Sequence, residues 1–186
     1  MPRPVVPGGG RQMRVEDKLR ALGLSLYDLE ERYRVNPSGA RFVSHLAVGN
    51  LLYLSGTVPI KDDHPYLTGV VGRDLTAEQG YEAARYALLS ALAVARFALG
   101  DLDRVEQAVQ MTGYVNSAPD FADQPHVLNG ATDLLVELYG DNGLPTRAAI
   151  GCQGLALNSS VEIVLTLAFS GDTVRPPLIR HRGIED

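Results

Sequence analysis

Hydrophobic spacing along the 186 residues changes period several times, and each change marks a predicted element. Residues 14–22, "RVEDKLRAL", are spaced as a short helix ending at Gly23. The next stretch, "SLYDLEERYRVNPSG", fits no single period and is closed by Pro37 and Gly39. "RFVSHLAVGNLLYLSG" alternates and is cut by Gly49-Asn50, a hairpin signal. It predicts two antiparallel strands, near 41–47 and 51–56. After a loop, "DLTAEQGYEAARYALLSALAVARFALGD" gives the strongest helical pattern. Thr76 and Gln79 have capping-box spacing, Ala84, Leu88, Ala91, Ala95 and Leu99 share one face, and Gly100 ends the run. A stripe that rich in alanine lets a helix lie close on a sheet.

"RVEQAVQMTGYVN" returns to strand period, with Val105, Val109, Met111 and Val115 on one side. A second helix is expected to start between Phe121 and Pro125 and to end at Gly140. Its buried face is Val127, Leu128, Ala131, Leu134, Leu135 and Leu138. Two strands finish the pattern, roughly 147–153 and 160–169. The order strand, strand, helix, strand, helix, strand, strand leaves two helices to cover one face of a mixed sheet. The expected fold class is therefore α+β, a two-layer sandwich. The expected organisation is a flexible lead over 1–13, one domain over 14–171, and a Pro-rich, charged tail over 172–186. That tail is expected to be disordered or draped over a neighbouring chain.

Composition narrows the functional classes. A net charge of −5 with no basic stripe argues against nucleic-acid binding by bulk electrostatics, while leaving room for a local anion site. Cys152 is the one cysteine, so no intrachain disulfide and no thiolate zinc site can form. His45, His64, His126 and His181 lack ligand spacing, so no metal site is expected. No apolar run approaches membrane-spanning length and the N-terminus lacks a signal-peptide core, so a cytoplasmic protein without membrane contact is expected.

The candidate chemistry starts at "GLPTRAAIGCQGLAL", where Arg147 interrupts a small and apolar run. Burying an unpaired guanidinium costs roughly several kcal/mol. Arg147 must therefore reach water, pair with an acid, or await an external anion. Alternation suggests that Ile150 and Cys152 face the helices, so that Arg147, Ala149, Gly151 and Gln153 face away. In the last strand Val161, Ile163, Leu165 and Leu167 would face the helices and Glu162 would face away. Both charged residues are thus expected on the helix-free face. That face is small and apolar enough to pack sheet to sheet in an oligomer. If the last two strands formed a simple hairpin, Arg147 and Glu162 would lie roughly 26 Å apart. A joint site then needs another strand order or residues from two chains. Without a joint site, Arg147 is a solvated strand-end residue and Glu162 an exposed polar one.

The segments "GNLLYLSGTVPI", "GDLDRVEQAVQMTGYVNSAPDFAD", "NGATDLLVELYG" and "LPTRAAIGCQGLALNSSVEIVL" occur in the order and spacing of the RidA/YjgF family, formerly called L-PSP endoribonucleases. The chain resembles the chorismate mutase-like branch with a longer N-terminus, over about residues 40–169. The resemblance implies a homotrimer whose sheets pack into a central barrel, with clefts between subunits. It implies that Arg147 holds the carboxylate of a small 2-imino or 2-keto acid, helped by backbone N–H groups near Ala149, and that Glu162 positions or activates water. Asn129 falls on the family's helix asparagine, and Ser55, Gly56 and Thr57 fall on its "SGQ" motif. Thr57 replaces the usual glutamine, Phe42 stands in the place of a site tyrosine, and Ala149 stands where many members have cysteine. The implied activity is hydrolytic deamination of reactive 2-imino acids to 2-keto acids and ammonia, without metal or organic cofactor. The alternative is a non-catalytic module that binds or senses 2-keto acids. Ribonuclease chemistry is poorly supported by an acidic chain without clustered His or Lys. Chorismate rearrangement rests on fold analogy alone.

Overall fold

A computed structural model of the chain describes residues 13–35 and 41–180. The expected lead, apart from Met13, the stop at Pro37 and Gly39, and the last part of the tail lie outside the described residues. The short helix α1 covers Val15–Ala21. The stretch of ambiguous period forms a second short helix, α2, Leu29–Val35. The alternating region divides into β1 (Phe42–Val43), β2 (His45–Val48) and β3 (Leu51–Leu54). The last two are joined at Gly49-Asn50 as the turn signal requires, with Gly49 at φ 59°. A small ribbon, β4 (Ile60–Lys61) and β5 (His64–Pro65), lies in the following loop.

Helix α3 runs Ala77–Leu99 behind a complete capping box between Thr76 and Gln79, and Gly100 closes it in the left-handed conformation. Strand β6 spans Val105–Asn116 and helix α4 spans Gln124–Tyr139. Strands β7 (Thr146–Cys152), β8 (Val161–Phe169) and β9 (Ile179–Arg180) follow. The main sheet has five strands in the order β2-β3-β8-β6-β7, antiparallel except for the β6–β7 pair. Strand β8 thus enters between β3 and β6 instead of pairing with β7, so the hairpin geometry does not apply. Two register shifts in β6 put Ala108, rather than Val109, into the core.

Helices α3 and α4 cover one face of this sheet. Their fit is set by small residues. A Cβ on Gly113 of β6 would strike Leu128, and a Cβ on Gly130 would strike the Tyr81 carbonyl of α3. Both helices therefore lie closer than any larger residue allows. Leu52, Met111, Leu128, Leu134, Leu135, Ile163, Leu165 and Leu167 fill the layer between helices and sheet.

As far as it is described, the segment after Gly171 turns back onto its own chain. Arg175 N–H donates to Ala98 O at 2.8 Å, and Ser44 and Leu178 are joined by a backbone bond of 2.9 Å. Val43 pairs with Ile179 and Phe42 with Arg180.

Candidate functional site

Two separate arrangements emerge, one around Arg147 and one around Glu162. Arg147 lies on the edge strand β7, in register with Met111 of β6. Residues in register share a face, and Met111 is fully buried under the helices. Arg147, Ala149 and Gly151 therefore point to the helix side. A Cβ on Gly151 would meet Gln124 of α4, and Ala149 packs against the core. Ile150 points the other way and is 41% exposed. The expected facing of this strand is thus inverted. The small residues turn toward α4 because the helix comes close there, while the bulky Ile150 stands on the open face.

The side chain of Arg147 reaches over α4. Its Nη1 donates to Asn129 Oδ1 and to Thr132 Oγ1, each at 2.9 Å, and its Nη2 donates to Pro125 O at 3.3 Å. Positions 125, 129 and 132 follow the i, i+4, i+7 stripe of a helix, so one face of α4 supplies every acceptor. The Thr132 hydroxyl donates to Leu128 O at 3.3 Å, which turns its lone pairs toward the guanidinium. Among the described residues no carboxylate forms an ion pair with Arg147. The guanidinium is held by neutral acceptors and remains exposed at the sheet edge.

Glu162 stands on the opposite face. It is in register with Tyr114 of β6, which is in register with Ile150 of β7. Two strand spacings and a three-residue offset put Arg147 and Glu162 roughly 14 Å apart by Cα. The expectation that they share the helix-free face does not hold: one chain presents them on opposite faces. The carboxyl of Glu162 is half-buried, and that burial raises its pKa. Cys152, also on the open face and not toward the helices, has its thiol pKa raised by burial and then by the charge of Glu162.

The loop after β3 shapes the surroundings of Glu162. Thr57 and Ile163 exchange two backbone bonds of 2.9 Å, which lays the loop beside β8. Gly56 then faces the Glu162 carboxylate directly, and a Cβ would strike Oε1. Ser55 Oγ donates to Val43 O at 2.6 Å, and Thr57 Oγ1 donates to Ala87 O at 3.1 Å. Both hydroxyls thus hold the framework. Phe42, Ser55, Gly56, Thr57 and Glu162 line one cavity of about 300 Å³. Asn129 and Ala149 belong to the Arg147 side instead.

Sequence reasoning missed Thr132 and Pro125, although their helical spacing to Asn129 was available. It also missed Tyr27, Arg32 and Tyr33, which reach the Glu162 cavity from the segment of mixed period.

Comparison with known proteins is consistent with this architecture. The family model described as "YjgF/chorismate_mutase-like, putative endoribonuclease" matches residues 17–169. Protein TCP17 of Trypanosoma cruzi is 36% identical over 155 residues, covering 81% of this chain and 91% of that protein. The crystal structure of Atu1372 from Agrobacterium tumefaciens, a protein of unknown function, has a TM-score of 0.76 at 34% identity, covering 84% of this chain and 92% of that one. The structure of a "putative endoribonuclease" from Shewanella oneidensis MR-1 has a TM-score of 0.78 at 29% identity, covering 84% of this chain and all of that one. On the extent of the match and the identity to these relatives, the chain belongs to the YjgF/chorismate mutase-like family.

Proposed function

We propose that the chain is a hydrolytic deaminase of reactive 2-imino acids, acting as a homotrimer whose sites form where subunits meet. The observation that carries this reading is the division of charge. A guanidinium without an acid partner among the described residues sits on one face of the chain, and a half-buried carboxyl lies in a cavity on the other. Neither half can complete a site alone, but an edge strand of one subunit can meet the open face of the next. That face carries Leu46, Val48, Tyr53, Ile150 and Val164 at 38–64% exposure, a band of apolar side chains that favours association.

In this site Arg147 grips the substrate carboxylate and fixes C2 beside a water. With the substrate in its iminium form, Glu162 accepts a proton from the water as its oxygen bonds to C2 and the C=N electron pair moves to nitrogen, giving a carbinolamine. The carboxyl returns that proton to nitrogen and then takes the hydroxyl proton as the C=O forms and the C–N bond breaks, so that ammonia leaves and the proton passes to it or to water. Imines are reactive in water, so positioning and a well-placed base suffice. A carboxyl raised by burial suits both steps, because its two protonation states are both accessible nearer neutral pH.

A second reading, a binding module for 2-keto acids without turnover, draws on Thr57 and Phe42. The Thr57 hydroxyl is committed to Ala87 O, and Phe42 brings no hydroxyl to the cavity. The two readings separate in one assay. Generate 2-iminobutyrate or 2-aminoacrylate, add protein, and follow the decay of the imine. The enzymatic reading expects acceleration that falls roughly 10- to 100-fold for each charge-assisted bond lost in Arg147→Ala. Equal decay with wild type and Arg147→Ala ends it. Saturable keto-acid binding without turnover selects the second reading.

A further inference from the structure

The cavity at Glu162 extends well past the carboxyl. From Glu162 it runs between Leu29, Ile60 and Val94, all at most 5% exposed, and is walled by Tyr27 and Tyr33. Its volume of about 300 Å³ reaches the lower bound of pockets that take drug-sized ligands. A methyl or ethyl side chain would leave most of that space unfilled. Tyr27, Leu29, Arg32 and Tyr33, from the segment before and within α2, are part of its lining.

Arg32 holds this wall in place. It is 7% exposed, its Nη1 donates to Asp63 O at 2.9 Å, and its guanidinium lies 5.4 Å from the centre of the Tyr27 ring. The hydrogen bond ties α2 to the turn between β4 and β5. It also sets a positive charge in the lining of the chamber, beside the apolar side chains of Leu29, Ile60 and Val94.

We propose that this chamber is a side-chain pocket. It selects 2-imino and 2-keto acids that carry a bulky apolar group, branched or aromatic, over those with one or two carbons. The Arg32 charge disfavours acids with a basic side chain, by like-charge repulsion. The choice of acid as ligand rests on the function proposed above; the shape and charge of the chamber do not.

The test measures equilibrium binding of pyruvate, 4-methyl-2-oxopentanoate, phenylpyruvate and 5-guanidino-2-oxopentanoate to the wild-type protein. The matching imines, made in place by an amino-acid oxidase, are followed in parallel. The branched and phenyl acids should bind roughly 10-fold or more tightly than pyruvate, the range that one apolar pocket provides. The guanidino acid should bind more weakly than either. Val94→Phe, which fills the chamber, should collapse the phenyl-to-pyruvate ratio. Tyr27→Ala, which removes a wall, should lower phenylpyruvate affinity and serves if Val94→Phe does not fold. Pyruvate binding as tightly as phenylpyruvate, or a ratio unmoved in a folded variant, overturns the proposal. Selective binding without imine decay removes the deaminase reading and leaves the pocket standing. Imine decay that favours the smallest acid does the reverse, and no binding by any acid removes both.

Discussion

Burial raises the pKa of Glu162, so the folded chain binds that proton more tightly than the unfolded chain does. Between the ordinary carboxylate range and the raised value, the native state therefore holds more protons. Stability then falls as pH rises through that window. Glu162→Gln has no proton to lose. Thermal unfolding should show the variant matching wild type below about pH 4 and gaining on it as pH rises toward neutrality. A gap that is widest in acid and closes toward neutral pH would contradict the burial argument. Arg147 was legible in the sequence as a charge that needed an explanation. Its neutral cradle was only half legible, since Asn129 came from resemblance and Thr132 was overlooked. The facing of its strand was misread because apolar size was taken as the guide to the core. At an edge strand beside a close-packed helix, the smallest residues face inward and a large one can face out.

Helix α3 could be read almost residue by residue, because capping chemistry and period agreed with the fold, whereas β6 was read in extent and the two register shifts that bury Ala108 in place of Val109 were not. Helix α2 could not. Its residues "LEERYRV" are largely polar, and Leu29 and Arg32 are buried by contacts with distant parts of the chain that no local period reveals. The close approach of α3 and α4 depends on Gly130, next to Asn129 in sequence. Gly130→Ala would drive a Cβ into the Tyr81 carbonyl, and backbone cannot swing aside as a side chain can. A loss of about 1–3 kcal/mol is expected, as for other overpacked contacts. Denaturant midpoints measure it. Keto-acid affinity should fall as well, because α4 carries the acceptors that aim Arg147.

For the whole molecule, the layer order and the covered face followed from the sequence, whereas the strand order did not. Alternation gives faces and lengths but leaves open which strands are neighbours, and β8 entering beside β6 and β3 is a long-range choice. The described part of the tail was likewise illegible, since its ties to Ser44, His45 and Ala98 all use backbone atoms of the tail. A site split between subunits has a numerical consequence. Chains carrying Arg147→Ala and chains carrying Glu162→Gln should each be inactive alone. Co-refolded at equal amounts into trimers, about a quarter of the interfaces would join an intact arginine to an intact glutamate, restoring roughly that share of activity. Confirmed mixed oligomers with no recovery would place the chemistry elsewhere.

The stripe of α4 that cradles Arg147 belongs to the same continuous run of chain as β7, from Pro125 to Cys152. The chamber at Glu162 is instead gathered from remote parts of the chain, with its outer wall supplied before the first strand. In the function proposed above, anchoring and discrimination are therefore encoded in separate passages. Lineages could rewrite the early passage and exchange one metabolite for another while leaving the grip on the acid group as it was.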